Sequence, residues 1–345
     1  MDSIYNYTIT DLEILMTNTN NEKFRATQVF EGVYKKRVTS FSSISNLKKE
    51  LITLLNEKFT FGKLKILEKL ISTDGTIKYL FQLEDENIIE TVLMKNAYGY
   101  SICVSSQIGC SMGCKFCMSG MLKKVRNLSV SELVLQLITI EEDLRDEFGI
   151  TPFDRIRSVV IMGIGEPFDN YNNILKFIEI INHNKGFEIG ARHITLSTVG
   201  LPQKIIEFSN FKYQVNLALS LHFTTDELRN MYMPISRKYP IKKIFEALDI
   251  YYSNTHRRIT FEYLLLKDVN DSITDMKNLI KLVKGMNAYV NFINYNDTDS
   301  EFKKSENLKT CMDILMKAGI DVTCRKSLGG DIKAACGQLR SKHAR

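Results

Sequence analysis

Ser101-Ile102-Cys103-Val104-Ser105-Ser106-Gln107-Ile108-Gly109-Cys110-Ser111-Met112-Gly113-Cys114-Lys115-Phe116-Cys117 starts as a short strand-like run and ends as a loop of cysteines. The same kind of β-branched run recurs at 158–162, 193–198, 215–221, 259–265, 289–293 and 321–325. Helical patterns separate most of them, for example 131–148, 173–182, 241–252 and 273–284. Strand and helix in alternation predict βα units on a parallel sheet, because parallel neighbours need a crossover connection. In such an α/β fold the reactive groups gather beyond the C-terminal ends of the strands.

Upstream, residues 1 to about 95 read differently. A helical pattern covers 24–34 and runs into Lys35, Lys36 and Arg37. A second covers 47–59, where Leu47, Leu51, Leu54 and Leu55 share a face beside Lys48 and Lys49. Strand-like segments follow at 63–70, 77–83 and 88–94. We therefore expect a small, mainly helical accessory domain over 1–95 and a catalytic domain over 96–345, a division that 345 residues accommodate. The accessory helices carry a basic face, which is either simply solvated or an RNA-docking surface.

Hydrophobic residues make up 44% and charged residues 25%, as in an ordinary soluble protein. The net charge of +6 admits a polyanionic partner only where basic residues cluster. No apolar run reaches membrane-spanning length, and the start has no signal-type core, so a cytoplasmic protein without a membrane partner is expected. Seven cysteines in that compartment argue against a disulfide framework.

Cys110, Cys114 and Cys117 have the spacing C-x3-C-x2-C, which lets three thiolates wrap one soft metal centre, zinc or iron–sulfur. Zinc normally closes with four ligands, and the next histidine is His183. Three ligands on a [4Fe-4S] cluster would leave one iron open for a substrate. Downstream, 159–167 reads as a strand ending in a glycine turn and an acid. There Gly165 allows close backbone approach, and Glu166 can accept from a cationic amine. Further strand ends offer Ser197, Ser220-Leu221-His222 and Asn296, groups able to grip a ribose, an adenine or a carboxylate. Each alone fits a strand-end cap equally well, and His222 fits a structural histidine. Their recurrence at successive strand ends favours a binding site.

The cysteine loop, with Phe116 before its last cysteine, resembles the radical S-adenosylmethionine superfamily. There the open iron binds the amino and carboxylate groups of the cofactor, whose cleavage yields a 5′-deoxyadenosyl radical. Gly165-Glu166 looks like that superfamily's motif for the cofactor amino group. Further strings narrow the resemblance: Cys103-Val104-Ser105-Ser106-Gln107, Arg126-Asn127-Leu128, Gly163-Ile164-Gly165-Glu166-Pro167, Met233-Pro234-Ile235 and, most specific, Ala334-Ala335-Cys336-Gly337-Gln338-Leu339. Together they resemble the RlmN/Cfr family of RNA adenine methyltransferases over nearly the whole chain.

The resemblance implies a partial (βα)6 radical SAM barrel and a division of labour among cysteines. Cys336 would take a methyl group from one S-adenosylmethionine, which requires its thiolate. A second S-adenosylmethionine would supply the radical that activates this methyl for addition to adenine. Cys103 would then attack the Cys336 sulfur, releasing product and leaving a transient disulfide. Glu90 matches the family's proton acceptor, whereas Cys311 and Cys324 match no functional position and read as dispensable, Cys324 as a small buried hydrophobe. Lys333, Ser236 and Asp297 depart from residues common in the family, and 118–126 is atypical. The expected reaction is C2 methylation of an adenosine in 23S rRNA, with the tRNA adenosine 3′ of the anticodon as a second target. Arg257-Arg258-Ile259-Thr260-Phe261-Glu262-Tyr263 favours this over C8 methylation, the antibiotic-resistance branch. The expected electron donor is a flavodoxin, and the expected state a monomer. The alternative of another class is a non-catalytic zinc-containing RNA-binding protein.

Overall fold

A computed structural model describes residues 1–97, 99–149, 155–296 and 301–339. At the start, β1 (Asp2–Ser3) pairs in parallel with β2 (Phe59–Thr60) and brackets three helices, α1 (Ile9–Asn18), α2 (Phe24–Tyr34) and α3 (Lys49–Lys58). The apolar stripe of α1 is weak, with only Leu12 and Met16 buried. Its start is set by a capping box in which Thr8 and Asp11 satisfy each other's backbone N–H. The second helix falls at the predicted 24–34. The third starts at Lys49 rather than 47, because Lys48 is extended and Leu47 N–H is held by the Ile44 carbonyl in the preceding turn. Buried Tyr34 donates to the carbonyl of Tyr7 (2.8 Å), tying α2 to the N-terminal turn.

Four antiparallel strands follow: β3 (Lys65–Ile71), β4 (Ile77–Gln82), β5 (Ile88–Asn96) and β6 (Gly99–Cys103). A two-stranded ribbon, β7 (Gln107–Ile108) with β8 (Arg126–Asn127), clamps the ends of the cysteine loop. From β6 the sheet continues in parallel through β9 (Ile156–Ile161), β10 (Ile194–Thr198), β11 (Asn216–Ser220), β12 (Ile259–Leu265), β13 (Ala288–Asn294) and β14 (Asp321–Arg325). Every parallel strand expected from the sequence is present. The connections carry α4 (Val130–Phe148), α5 (Tyr171–Asn182), α6 (Pro202–Phe208), α7 (Asp226–Tyr232), α8 (Ile241–Thr255), α9 (Ile273–Val283) and α10 (Leu308–Lys317). Such crossovers cover a parallel sheet and account for its nearly continuous apolar strands.

All ten strands from β3 to β6 and β9 to β14 form one sheet, with β3 and β14 at its edges. The sheet therefore runs across the boundary expected near residue 95. Ile77 to Phe81 of β4 are buried on both faces, which a free-standing hairpin cannot achieve. Lys69 and Tyr79 both reach Asp143 on α4, the helix that covers this part of the sheet. After β14 the chain returns across the mouth of the barrel towards the other edge. Gly329 N–H donates to Asp74 (2.8 Å), Asp331 accepts from Ser72 Oγ (2.6 Å), and Lys78 Nζ donates to the Lys333 carbonyl (3.1 Å). Its end is fastened to the cysteine loop, where Met118 N–H donates to the Gly337 carbonyl and Ser119 Oγ to that of Leu339, both at 2.8 Å. Among the described residues no helix is long and apolar enough to cross a membrane.

Candidate active site

Cys103 ends β6, and pairing continues beyond it: Val104 N–H donates to the Val160 carbonyl and Gly163 N–H to that of Val104, both at 3.0 Å. The loop that follows doubles back on itself at Gly109. A Cβ there would lie 2.1 Å from the Lys123 carbonyl oxygen, and φ is +70°, so only glycine fits. Cys110, Cys114 and Cys117 share this loop and pack among Phe116, Phe223 and Met233. Burial pushes the Cys110 thiol up to about 12. It pushes Cys114 well above its ordinary value, and neighbouring Cys117 and Cys110 add to the rise. Three thiols that repel one another when ionised form a donor set in want of a bound cation. Among the described residues no three His, Cys, Asp or Glu side chains converge to hold a single metal ion. A cubane that takes one cysteine per iron does not require such convergence, and the loop fits one.

Beside Cys117 a cleft of about 800 Å³, counting its open part, is lined by the strand-end residues Gly165, Glu166, Ser197, Ser220, His222 and Asn296. Gly165 is at φ +108°, and a Cβ on it would meet the Gln107 side chain at 2.6 Å. Glu166 accepts from Phe168 N–H (3.0 Å) and Val199 N–H (2.9 Å), while burial raises its carboxyl to about 7. A cationic ligand in the cleft would favour its ionised form. The hydroxyls of Ser197 and Ser220 are 3.1 Å apart. His222, at φ +58°, accepts from Leu264 N–H through Nδ1 (3.2 Å) and meets Phe116 edge-on. Leu221 is different: its side chain is fully buried and its backbone N–H pairs with the Glu262 carbonyl, so it is absent from the cleft wall.

Glu262 and Arg325, to which the sequence alone gives no site role, also line this wall. The Glu262 carboxylate accepts from Asn291 Nδ2 (3.0 Å), and Arg325 Nη1 reaches the Met162 sulfur (3.1 Å). An acid inside the apolar run 259–265 was a signal for the first. Nothing local marks Arg325.

A second cavity shares Cys117, Met162, Arg325 and Cys336 with the first and adds Cys103. Cys336 thus belongs to both walls. It is exposed, and Asn296 Nδ2 donates to its carbonyl (3.2 Å). Burial pushes the Cys103 thiol up to about 12, Cys336 adds to this, and Arg325 opposes it. Glu90 lies on the face of β5 that gives Val92 and Met94 to this cavity, yet it is itself fully buried behind the wall, 3.8 Å from Lys78 Nζ. Cys311 is buried in α10. Cys324, expected to be buried, is only half-buried, because β14 is an edge strand.

Residues 104–282 match the family model of the radical SAM superfamily, and residues 3–60 match that of the ribosomal RNA large subunit methyltransferase N-terminal domain. The chain is 46% identical to a probable dual-specificity RNA methyltransferase RlmN from Acholeplasma laidlawii, over 99% of both chains. This chain belongs to the RlmN family. A protein of the same name from Listeria monocytogenes is 48% identical, covering 99% of this chain and 94% of the relative. A crystal structure of a radical SAM methyltransferase from Sphaerobacter thermophilus aligns over 100% of both chains with a TM-score of 0.89 and 36% identity. RlmN membership brings a [4Fe-4S] cluster and S-adenosylmethionine as cofactors.

His222 gives this RlmN chain a pH signature. Burial, assisted by the Arg229 charge, lowers its pKa from 6.5 to about 3, so the folded imidazole stays neutral. The unfolded chain binds the proton more readily, so the stability this group contributes is present above about 6.5 and lost as pH falls towards 3. Between about pH 6.5 and pH 5 the protein should lose about 2 kcal/mol through His222. Urea unfolding at the two pH values should show that loss reduced in His222→Gln. Equal losses in both proteins would remove His222 as the cause.

Proposed function

We propose that this chain methylates C2 of an adenosine in 23S rRNA, with the tRNA adenosine 3′ of the anticodon as a second substrate, and that it carries the incoming carbon on Cys336. The observation that supports this most is the place of Cys336 in two walls, one lined by strand-end polar groups and the other by Cys103. A residue that accepts carbon in one chamber and delivers it in the next needs that position.

Held by Cys110, Cys114 and Cys117, the [4Fe-4S] cluster with S-adenosylmethionine supplies a methyl group and the means to abstract a hydrogen atom. Glu166 would accept from the cofactor ammonium, with Gly165 allowing the backbone close. Ser197, Ser220, His222 and Asn296 would orient the remaining polar groups, and Leu221 contributes only through its backbone. The Cys336 sulfur takes the methyl group by displacement, with the demethylated thioether leaving, while Arg325 lines both walls beside it. Once that methyl has lost a hydrogen atom, its carbon adds to the adenine ring in the second cavity, and RNA and protein are joined through Cys336. Glu90, two residues along β5 from Val92, is the proton acceptor for the ring hydrogen. Cys103 then attacks the Cys336 sulfur: the S–S bond forms as the S–C bond breaks, the adduct radical would return its electron to the iron–sulfur centre, and the released carbon takes a proton, leaving the methyladenosine and the Cys103–Cys336 disulfide.

Residues 1–95 act in this reading as the RNA-docking unit. Lys35 and Lys124 are already paired with Glu188 (3.1 Å) and Asp169 (2.6 Å), so exposed Lys36 and Lys123 are better placed to meet phosphates. We place the enzyme in the cytoplasm as a monomer that draws electrons from a flavodoxin. Anaerobic reconstitution with S-adenosylmethionine, reductant and an rRNA fragment, followed by nucleoside analysis, should yield 2-methyladenosine. If 8-methyladenosine formed instead, the choice of ring carbon would be wrong; no methylated adenosine from a fully iron-loaded enzyme would overturn the reaction itself.

A further inference from the structure

Arg229, on α7, is the largest fully buried side chain among the described residues. Its Nε donates to Ser236 Oγ (3.2 Å) and its Nη2 to the Val199 carbonyl (2.9 Å), while buried Nη1 has no acceptor among the described residues. No carboxylate within the described residues forms an ion pair with it. Asp226, one turn away, accepts from Ile241 N–H instead (2.7 Å). A guanidinium keeps its proton in a protein, and a buried cation without a counter-ion is heavily penalised. Val199, which holds Nη2, packs in the same cluster as Cys114 and Met233, and Met233 N–H donates to the Arg229 carbonyl (2.6 Å), so the guanidinium lies against the cysteine loop. The cysteine loop also packs on this helix end: Lys115 N–H donates to the Tyr232 carbonyl (2.9 Å). An unmatched buried cation thus lies against the loop that carries the three cysteines.

We propose that Arg229 is a positioning residue of the iron–sulfur centre, whose buried guanidinium supplies the counter-charge at Cys114 and makes the cluster easier to reduce. Reduction adds one negative charge, and a fixed positive charge in a low-dielectric site stabilises the reduced form more than the oxidised one. Val199, which holds Nη2 through its carbonyl, gives its N–H to Glu166 (2.9 Å). One short loop therefore registers the cation against the acid expected to meet the cofactor. The inference rests on Cys110, Cys114 and Cys117 holding the cluster, and not on the identity of the RNA.

Anaerobically reconstituted wild type, Arg229→Met and Arg229→Lys are compared in a redox titration followed by electron paramagnetic resonance, without RNA or S-adenosylmethionine. Arg229→Met should bind wild-type amounts of iron and sulfide but hold about tenfold less reduced cluster at a fixed potential. That is a midpoint lowered by about 59 mV for a one-electron couple. Arg229→Lys keeps the charge and should fall less. Full iron content with an unchanged midpoint in Arg229→Met would overturn the proposal. Should that variant fail to fold, Arg229→Gln, which keeps a donor for the Val199 carbonyl, takes its place and is judged by the same two results. Failure of the wild type itself to bind iron would sink the cluster assignment instead.

Discussion

Cys336→Ala should retain the iron–sulfur centre and lose RNA methylation altogether, by at least about 10⁴-fold, as when a covalent nucleophile is removed. The two effects separate because Cys336 lies outside the cysteine loop. The segment around it is held by groups the substitution leaves alone: the Gly337 carbonyl on Met118, the Leu339 carbonyl on Ser119, and Asp331 on Ser72. Its own contact is made through its backbone carbonyl, with Asn296. Iron content and visible absorbance should therefore match the wild type. Mass spectrometry of the intact protein after incubation with S-adenosylmethionine should find one added methyl group in the wild type and none in the variant. Methylation by Cys336→Ala at the wild-type rate would remove the carrier role.

Cys103→Ala should do the opposite and accumulate a covalent protein–RNA species. Cys103 and Cys336 line the same cavity as free thiols, and the other cysteine in that wall, Cys117, is the expected cluster ligand. Burial keeps the Cys103 thiol high, at about 12, so it rests protonated and does not compete with Cys336 for the methyl group. Without it no thiol remains to displace the joined RNA. Denaturing electrophoresis should show a retarded, ribonuclease-sensitive band approaching one RNA per protein, with less than one turnover of released product. Recovery of RNA-free protein together with normal product release would count against the release step.

Much of this site was legible in local sequence. The C-x3-C-x2-C loop lies within eight consecutive residues, and the alternation of β-branched and helical runs marks parallel strands because each period reflects one element's own burial. Glu166, Ser197, Ser220, His222 and Asn296 follow from the rule that polar strand ends meet at one mouth, and they do line one cleft. Leu221 and Cys324 show where local reading stops. The first sits between two cleft residues yet points into the core, and the second alternates like a buried residue yet lies on an edge.

Sequence by itself therefore determined the sheet's parallel half, the cysteine loop and the residue types at the strand ends, all of which depend on neighbours within a few positions. Only the tertiary structure decided that the strands from 65 to 96 join that sheet, since strand pairing is a contact between distant segments and β4 needs cover on both faces. It also decided that Cys336 enters both cavities, through bonds such as Asp74 to Gly329 that join residues 255 positions apart. Arg229 belongs to the same class. Its place on a short polar helix suggests solvent, and only the packing of Val199, Ser236 and the cysteine loop around it creates a buried charge beside the cysteines expected to hold the cluster.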